Sequence, residues 1–278
     1  MVGRLVLIAT PIGNLEDLSS RAVYALANAD VVACEDTRRT GKLLAHAGVM
    51  GTQLKVVNER TEAAQATEIA ALVSAGKAVA LVTDAGTPAI SDPGAKVVEA
   101  VLAANGHVET VPGPSAVLAA LVVSGLGTGR FCFEGFIPRK GRNRSERLAA
   151  LSREPRTMVL FEAPHRLVRT LEDLAEVLGE DRRIAIVREQ TKLHEEIWRG
   201  NLGDAVQFGC NTEPRGEYVL VVAGCDGPSS PSASRIKVAL REQLASGLSR
   251  RDAAAAVAAD LSISRRVAYQ LSLADDEE

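Results

Sequence analysis

Two hydrophobic periods alternate along this chain. Brief apolar runs, "RLVLIA", "VVAC", "KVV" and "AVALVT", are separated by "SRAVYALANA", "TRRTGKLLAHAG" and "EAAQATEIAALVSAG", where apolar residues return every three or four positions. The runs have the character of strands buried on both faces, and the segments between them that of helices. The alternation predicts a mostly parallel sheet covered on both sides. This first α/β unit is expected to end at Leu126, inside "GLGTG", where three glycines in five residues follow a helical segment. A dinucleotide fingerprint needs a strand before its glycines and a helix after them. Here the helix comes first, so the string reads as a hinge.

A second α/β unit, residues 127–226, is expected from the runs "FCFEGF", "TMVLF", "RIAIVRE", "EIWRG" and "EYVLVVAG". The last three lie close together in sequence and are punctuated by "TKLHEE" and "NTEPRGE", which predicts antiparallel pairing. "CDGPSSPSAS", from Cys225 to Ser234, has the composition of a linker. Beyond it, residues 235–278 read as three short helices broken at "SGLS" and "LSIS", each break placing a serine at an N-cap. That pattern matches a helix-turn-helix-like module with a solvated "DDEE" tail.

With 278 residues, 46% apolar content and a net charge of −3, the chain can bury a substantial core. Its apolar runs fall short of the ~20 residues that a membrane helix needs, and no signal-type segment opens it, so no membrane is expected and the cytoplasm is the default location. Four scattered cysteines, Cys34, Cys132, Cys210 and Cys225, show no zinc-ligand spacing and read as buried thiols. No metal is expected.

Three loops stand out because they follow expected strands and are dense in glycine and proline: "ATPIGNLED", "DAGTPAISDPG" and "VPGPSA". In open α/β sheets, ligands bind beyond the carboxyl ends of the strands. Gly86, Gly94 and Gly113 permit close backbone approach, and Pro88, Pro93, Pro112 and Pro114 stiffen the loops, so a rigid cleft lined by main chain is expected, with ordinary tight turns as the bland alternative. Nucleoside triphosphates are disfavoured. Neither Gly41-Lys42 nor Gly76-Lys77 belongs to a phosphate-binding glycine loop, and Asp84 and Asp92 put negative charge in the central loop. A neutral or cationic nucleoside-like ligand fits better.

Seven segments, "LVLIATPIGNLEDLSSRA", "CEDTRRTGKLL", "VTDAGTPAISDPG", "VPGPSA", "GFIPRKG", "FEAPHRL" and "VREQTKLHEE", taken in this order, resemble the ribosomal RNA small subunit methyltransferase I family. The resemblance spans essentially the whole chain. It departs from the family at Arg60, where a histidine is commoner, and at Val187 and Gln190, where alanine and leucine are. The resemblance implies the tetrapyrrole-methylase fold: two α/β domains with a cofactor cleft between them, plus the C-terminal helical module. It also implies S-adenosylmethionine as cofactor, a cytidine ribose 2′-hydroxyl of 16S ribosomal RNA in the small subunit as the methylated group, and a homodimer. Carried over by motif, Pro11, Gly13, Asp84, Ala85, Gly86, Ile90, Ser91, Asp92, Ser115, Ala116, Glu162 and Ala163 are the implied cofactor contacts. Asp84 also reads as a helix or turn cap.

An RNA enzyme of slightly acidic net charge needs local basic patches. Arg139, Lys140, Arg142 and Arg144 open such a stretch, and Arg38, Arg39 and Arg166 could extend it across the cleft mouth; a solvated helix face is the alternative reading of the stretch. Aromatics are only 3% of residues, too few for base-stacking platforms, so recognition of folded RNA by shape is expected. Lys140, His165, Glu189 and Lys192 are the candidate catalytic residues, as groups that could help remove the hydroxyl proton. Two rival functions remain at this stage, a small-molecule (tetrapyrrole) methyltransferase and a noncatalytic RNA-binding adaptor.

Overall fold

In a computed structural model of the chain, residues 3–225, 233–261 and 263–273 are described. The chain divides into two units, Met1–Gly224 and Cys225–Glu278.

The first sheet of the larger unit contains β1 (Arg4–Ile8), β2 (Val31–Cys34), β3 (Gln53–Val56), β4 (Ala78–Leu81) and β5 (His107–Val111). All pairings are parallel, in the order β3-β2-β4-β1-β5, with Leu5 opposite both Val79 and Val108. Alternation within each strand divides the core in two. Leu5, Ala33, Val79 and Leu81 pack against α3 (Glu62–Ser74) and α4 (Ala95–Ala103) through Ile69, Val97 and Val101. Val6, Ile8, Val32 and Ala80 face the other way, toward Leu26 of α1 (Ser20–Ala27) and Leu43 of α2 (Thr37–His46). Burial on both faces explains why these strands read as unbroken apolar runs. Because β4, β1 and β5 are adjacent, the three Gly/Pro-rich loops that follow them emerge side by side.

The second sheet has the order β6-β7-β10-β8-β9, from β6 (Phe131–Phe136), β7 (Thr157–Glu162), β8 (Arg183–Arg188), β9 (Glu196–Asn201) and β10 (Tyr218–Val222). β8 pairs antiparallel with β9, to which a short turn joins it, and with β10, which returns after a helix that the sequence pattern does not predict, whereas β6 and β7 are parallel. Leu160, Ile186 and Leu220 point toward α6 (Arg142–Leu151), α7 (Leu167–Leu178) and α8 (Leu202–Asn211). Val159, Val187, Val219 and Val221 point toward α5 (Ala116–Val123). α5 precedes the expected boundary at Leu126, yet it buries Val117, Ala120 and Leu121 on the second sheet. Its sequence, "AVLAALVV", is apolar on every side, and Leu118 and Val122 remain 52% and 69% exposed.

The smaller unit holds α9 (Ala233–Ala245), α10 (Arg250–Asp260) and α11 (Arg265–Leu273) around Ile236, Leu240, Val257 and Ala268. Ser249 caps α10, its Oγ accepting from the Asp252 N–H at 3.2 Å. Most of the expected linker and the whole "DDEE" tail lie outside the described residues. All four cysteines are free, but only Cys34 is buried; Cys210 is exposed, because its position on α8 faces away from the sheet. No described helix is long and apolar enough to cross a membrane.

Candidate functional site

The three loops are tied to one another by main chain. Thr10 and Gly86 exchange backbone hydrogen bonds at 2.9 and 3.1 Å, and the buried Thr10 hydroxyl donates to the Thr83 carbonyl. Thr87 reaches the third loop through the Pro114 carbonyl at 3.4 Å. At the far end of the central loop, the Glu62 carboxylate accepts from the N–H groups of Gly94 (2.7 Å) and Lys96 (3.0 Å). It thereby caps α4, whose own N-cap residue is a glycine with no side chain to offer.

The second sheet meets this cradle through the 189–195 turn. Gly13 packs so tightly against it that a Cβ would lie 2.5 Å from Lys192 Cγ and 2.9 Å from the Gln190 carbonyl oxygen. The Asn14 N–H donates to Thr191 Oγ1 at 3.2 Å. With its amide oriented to satisfy both groups, Gln190 donates to the Ala116 carbonyl and accepts from the Ala120 N–H of α5. Left-handed backbone at non-glycine residues concentrates here: Ala89 and Ser91 in the central loop (φ 67° and 62°), Glu189 and Thr191 in the turn (φ 49° and 63°). Such conformations cost free energy and persist where surrounding contacts enforce them, commonly at ligand sites.

Between these walls lies a mostly apolar cavity of about 330 Å³, within the size range of small-molecule sites. Of the implied cofactor contacts, Ala85, Gly86, Ile90, Ser91, Asp92, Ser115, Ala116, Glu162 and Ala163 line it. A second cavity of about 270 Å³ adjoins it, sharing Ile12, Ala85 and Glu217; Pro11, Gly13 and Asp84 line this one instead.

Residues 4–206 match the tetrapyrrole (corrin/porphyrin) methylases. The ribosomal RNA small subunit methyltransferase I of Synechocystis sp. is 45% identical over 274 residues, 98% of each chain, and the protein of that name from Mycobacterium tuberculosis is 46% identical over 92% of this chain and 90% of its own. The chain belongs to the ribosomal RNA small subunit methyltransferase I family. Its Bacillus subtilis relative is 37% identical over 96% of this chain and 93% of its own. Among solved structures, uroporphyrin-III-C-methyltransferase from Thermus thermophilus superposes with a TM-score of 0.57 at 25% identity, covering 80% of this chain and 94% of that one. Diphthine synthase does so with 0.61 at 15% identity, covering 80% and 90%, a likeness of fold alone.

The candidate site is electrostatically negative on one flank. Burial and the neighbouring Glu35 and Asp84 carboxylates push Asp92 up to about 6. Burial and Asp84 raise Glu35, and burial raises Asp84 against the pull of Arg39, whose Nε lies 3.5 Å from Asp84 Oδ2. Three carboxyl groups sharing one desolvated corner disfavour one another's ionised forms. A cation placed there relieves that repulsion. Among the described residues Asp84 caps no turn of its own loop; its carboxylate accepts from the Asp36 N–H at 3.2 Å, a long-range tie to the residue that caps α2.

Several sequence-derived assignments change. Arg144 is no RNA contact: its side chain is 5% exposed and binds Asp173, the Pro138 carbonyl and Thr170 Oγ1. Arg166 is 15% exposed and held by Glu162 and the Ile137 carbonyl. Glu162 lines the cavity, but its carboxylate oxygens are engaged by Thr170, Arg166 and the Ala163 N–H, so it braces the wall rather than presenting charge to a ligand. Among the catalytic candidates, Lys140 and His165 are exposed and line neither cavity. Glu189 is held below the usual carboxylate range by Lys192. For Lys192, desolvation pulls downward, but the Glu189 (2.8 Å) and Glu217 (2.9 Å) carboxylates outweigh it and hold the ammonium protonated. A carboxylate of lowered pKa and an ammonium of raised pKa both make poor proton acceptors at neutral pH. Arg38, Arg139, Lys140 and Arg142 are exposed, Arg38 and Arg142 being paired with Asp36 and Glu146.

Sequence reasoning missed the rest of the second-sheet wall: Phe136, Phe161, Gln190 and the stretch from Gly216 to Val219. "PRGEY" carried one usable signal, a glycine immediately before a strand. Gly216 has φ +81°, and a Cβ there would meet Glu189 at 2.5 Å.

Proposed function

We propose that this chain transfers a methyl group from S-adenosylmethionine to the ribose 2′-hydroxyl of a cytidine in small-subunit (16S) ribosomal RNA, in the cytoplasm. The observation that carries the reading is the apolar cavity lined by Asp92, on which the Glu35 and Asp84 carboxyl groups act, and by residues of the three loops. That combination fits the cofactor: an apolar, size-matched space for a nucleoside, backbone groups for its polar edges, and negative potential for a sulfonium. Bound there, S-adenosylmethionine supplies an electrophilic methyl carbon. Ala85, Gly86, Ser115 and Ala116 hold one side of it and Ala163 the other, while the cross-sheet contacts of Gly13 and Asn14 fix the distance between the walls. Positioning of this kind can contribute ~7 to 11 kcal/mol to a displacement reaction. The family's relatives are named for ribosomal RNA methylation, and the exposed Arg38, Arg39, Arg139, Lys140 and Arg142 supply cations for phosphate contacts.

For self-association, the support is α5, whose Leu118 and Val122 leave an apolar stripe at the surface. Sedimentation velocity separates a dimer from a monomer, and only the dimer agrees with this reading.

The decisive assay is tritiated methyl transfer onto small ribosomal subunits lacking the modification, followed by nuclease digestion. Label on cytidine ribose supports the proposal. Label on a base, on a porphyrinoid such as the substrate in the name of the Thermus neighbour, or on nothing despite RNA binding, refutes it.

A further inference from the structure

The second cavity differs in chemistry from the first. Its walls come from the loop after β1 (Thr10 to Gly13), from α2, from the start of the central loop at Thr83 and Asp84, and from Lys192 on the cross-sheet turn. Three cations surround it. Arg39 and Lys42 stand three residues apart on α2 and therefore share a helix face, while Lys192 approaches from the second sheet. Lys192 is engaged by two carboxylates and Arg39 by Asp84 at 3.5 Å. Lys42 is exposed, and no ion-pair partner for it is found among the described residues. Thr10, Thr40 and Thr83 add hydroxyl-bearing side chains to its lining.

We infer that this cavity receives the target nucleotide, its sugar at the border with the first cavity and the adjoining phosphodiester against Lys42 and Arg39. The inference rests on the methyl-transfer reading above. Ile12, Ala85 and Glu217 line both cavities, so the two adjoin and a group in one can meet a group in the other at their border, where direct transfer needs the reacting atoms about 3 to 3.5 Å apart. A volume of about 270 Å³ accommodates one sugar and base but not a four-pyrrole macrocycle. Lys42 then supplies a point charge to one phosphate, and the Asp84 carboxylate keeps Arg39 oriented toward the same edge. Lys192, locked between Glu189 and Glu217, is a positioning residue for the border rather than a proton acceptor.

The test uses the full chain, with Lys42→Ala and Lys42→Arg variants, on small subunits lacking the modification. Three readouts are taken: steady-state methyl transfer, the salt dependence of subunit binding, and calorimetric titration with S-adenosylmethionine. Lys42→Ala is expected to raise KM for the subunits several-fold with little change in kcat, and to lower the slope of log affinity against log salt by about 1. Lys42→Arg restores both, and cofactor affinity matches the unmodified chain throughout. Unchanged KM and salt slope in Lys42→Ala overturn the assignment while leaving the methyl-transfer reading intact. Weakened cofactor affinity also overturns it, because the second cavity then belongs to the methyl donor. Absence of label from RNA with the unmodified chain removes the parent reading, and this one with it.

Discussion

Replacing Asp92 by asparagine tests the electrostatic account of the site. Asp92 lines the apolar cavity, and its carboxyl group titrates at about 6 against an ordinary value of 3.8, chiefly because of burial and then because of Glu35. A difference of two pH units corresponds to about 3 kcal/mol. Below pH 3.8 the side chain is protonated in both folded and unfolded chains and costs nothing. Between that value and 6 the folded chain retains a proton that the unfolded chain has released, so stability falls as pH rises and levels off above the folded pKa. The neutral amide of the Asp92→Asn variant carries no such penalty. Urea denaturation of Asp92→Asn and the unmodified chain from about pH 4 to 8 is therefore expected to show the variant gaining on its parent with rising pH, by at most about 3 kcal/mol near neutrality. Cofactor binding runs in the opposite sense. A sulfonium beside the acid corner would favour the ionised carboxylate, so S-adenosylmethionine is expected to bind the unmodified chain more tightly as pH rises through about 6, and Asp92→Asn to flatten that rise. A stability difference that is independent of pH, or that favours the parent increasingly toward neutrality, refutes the reasoning.

Glu62→Ala removes the side-chain cap of α4 and leaves the Gly94 and Lys96 N–H groups without their carboxylate; a loss of about 2 to 3 kcal/mol is expected in chemical denaturation, with weaker cofactor binding, and Glu62→Gln recovers part of both. Arg144→Ala strands Asp173 and unpins Thr170 and, through it, Glu162, costing about 3 kcal/mol; because Arg144 is buried, the salt slope of RNA binding stays at the parent value, and a reduced slope contradicts the structural assignment. Gly13→Ala drives a methyl group against the Lys192 and Thr191 side chains and the Gln190 carbonyl, destabilising the chain by about 1 to 3 kcal/mol and lowering cofactor affinity, measured by calorimetry; unimpaired binding argues against a fixed spacing of the two walls.

Strand and loop order was legible because each rests on local chemistry. Unbroken β-branched runs require burial on two faces, and a glycine- and proline-rich segment after such a run can only be a bent connection, so the loops after β1, β4 and β5 could be named before their adjacency in the order β4-β1-β5 was known. Charge was less informative, because a run of arginines does not reveal which of them faces solvent. The clue lay in the helical period: Arg144, Leu148 and Leu151 fall on one stripe of α6, and the two leucines are buried, so Arg144 had to enter the same interior and find Asp173 there. α5 presents the converse case. Being apolar on all sides, it carries no periodic signal for the sheet it covers, and its chain position pointed to the wrong one.

The second-sheet half of the site was illegible for a different reason. Phe161, Gln190 and Glu217 come from separate strands and turns, and they meet only because β7, β10 and β8 are neighbours. No local spacing encodes that meeting. The left-handed turn at Glu189 and Thr191 likewise uses residues that do not advertise positive φ; it is imposed by the Gly216 approach, the Lys192 bridge and the Thr191 contact to Asn14. Those contacts bind the second sheet to the loop after β1 and make Lys192 common to the turn and the polar cavity. If the apolar cavity takes the cofactor and the polar one the acceptor, as proposed, one strained turn couples them, so a perturbation of that turn is expected to disturb both, whereas altering the cation on α2 at Lys42 is expected to act on the acceptor side alone.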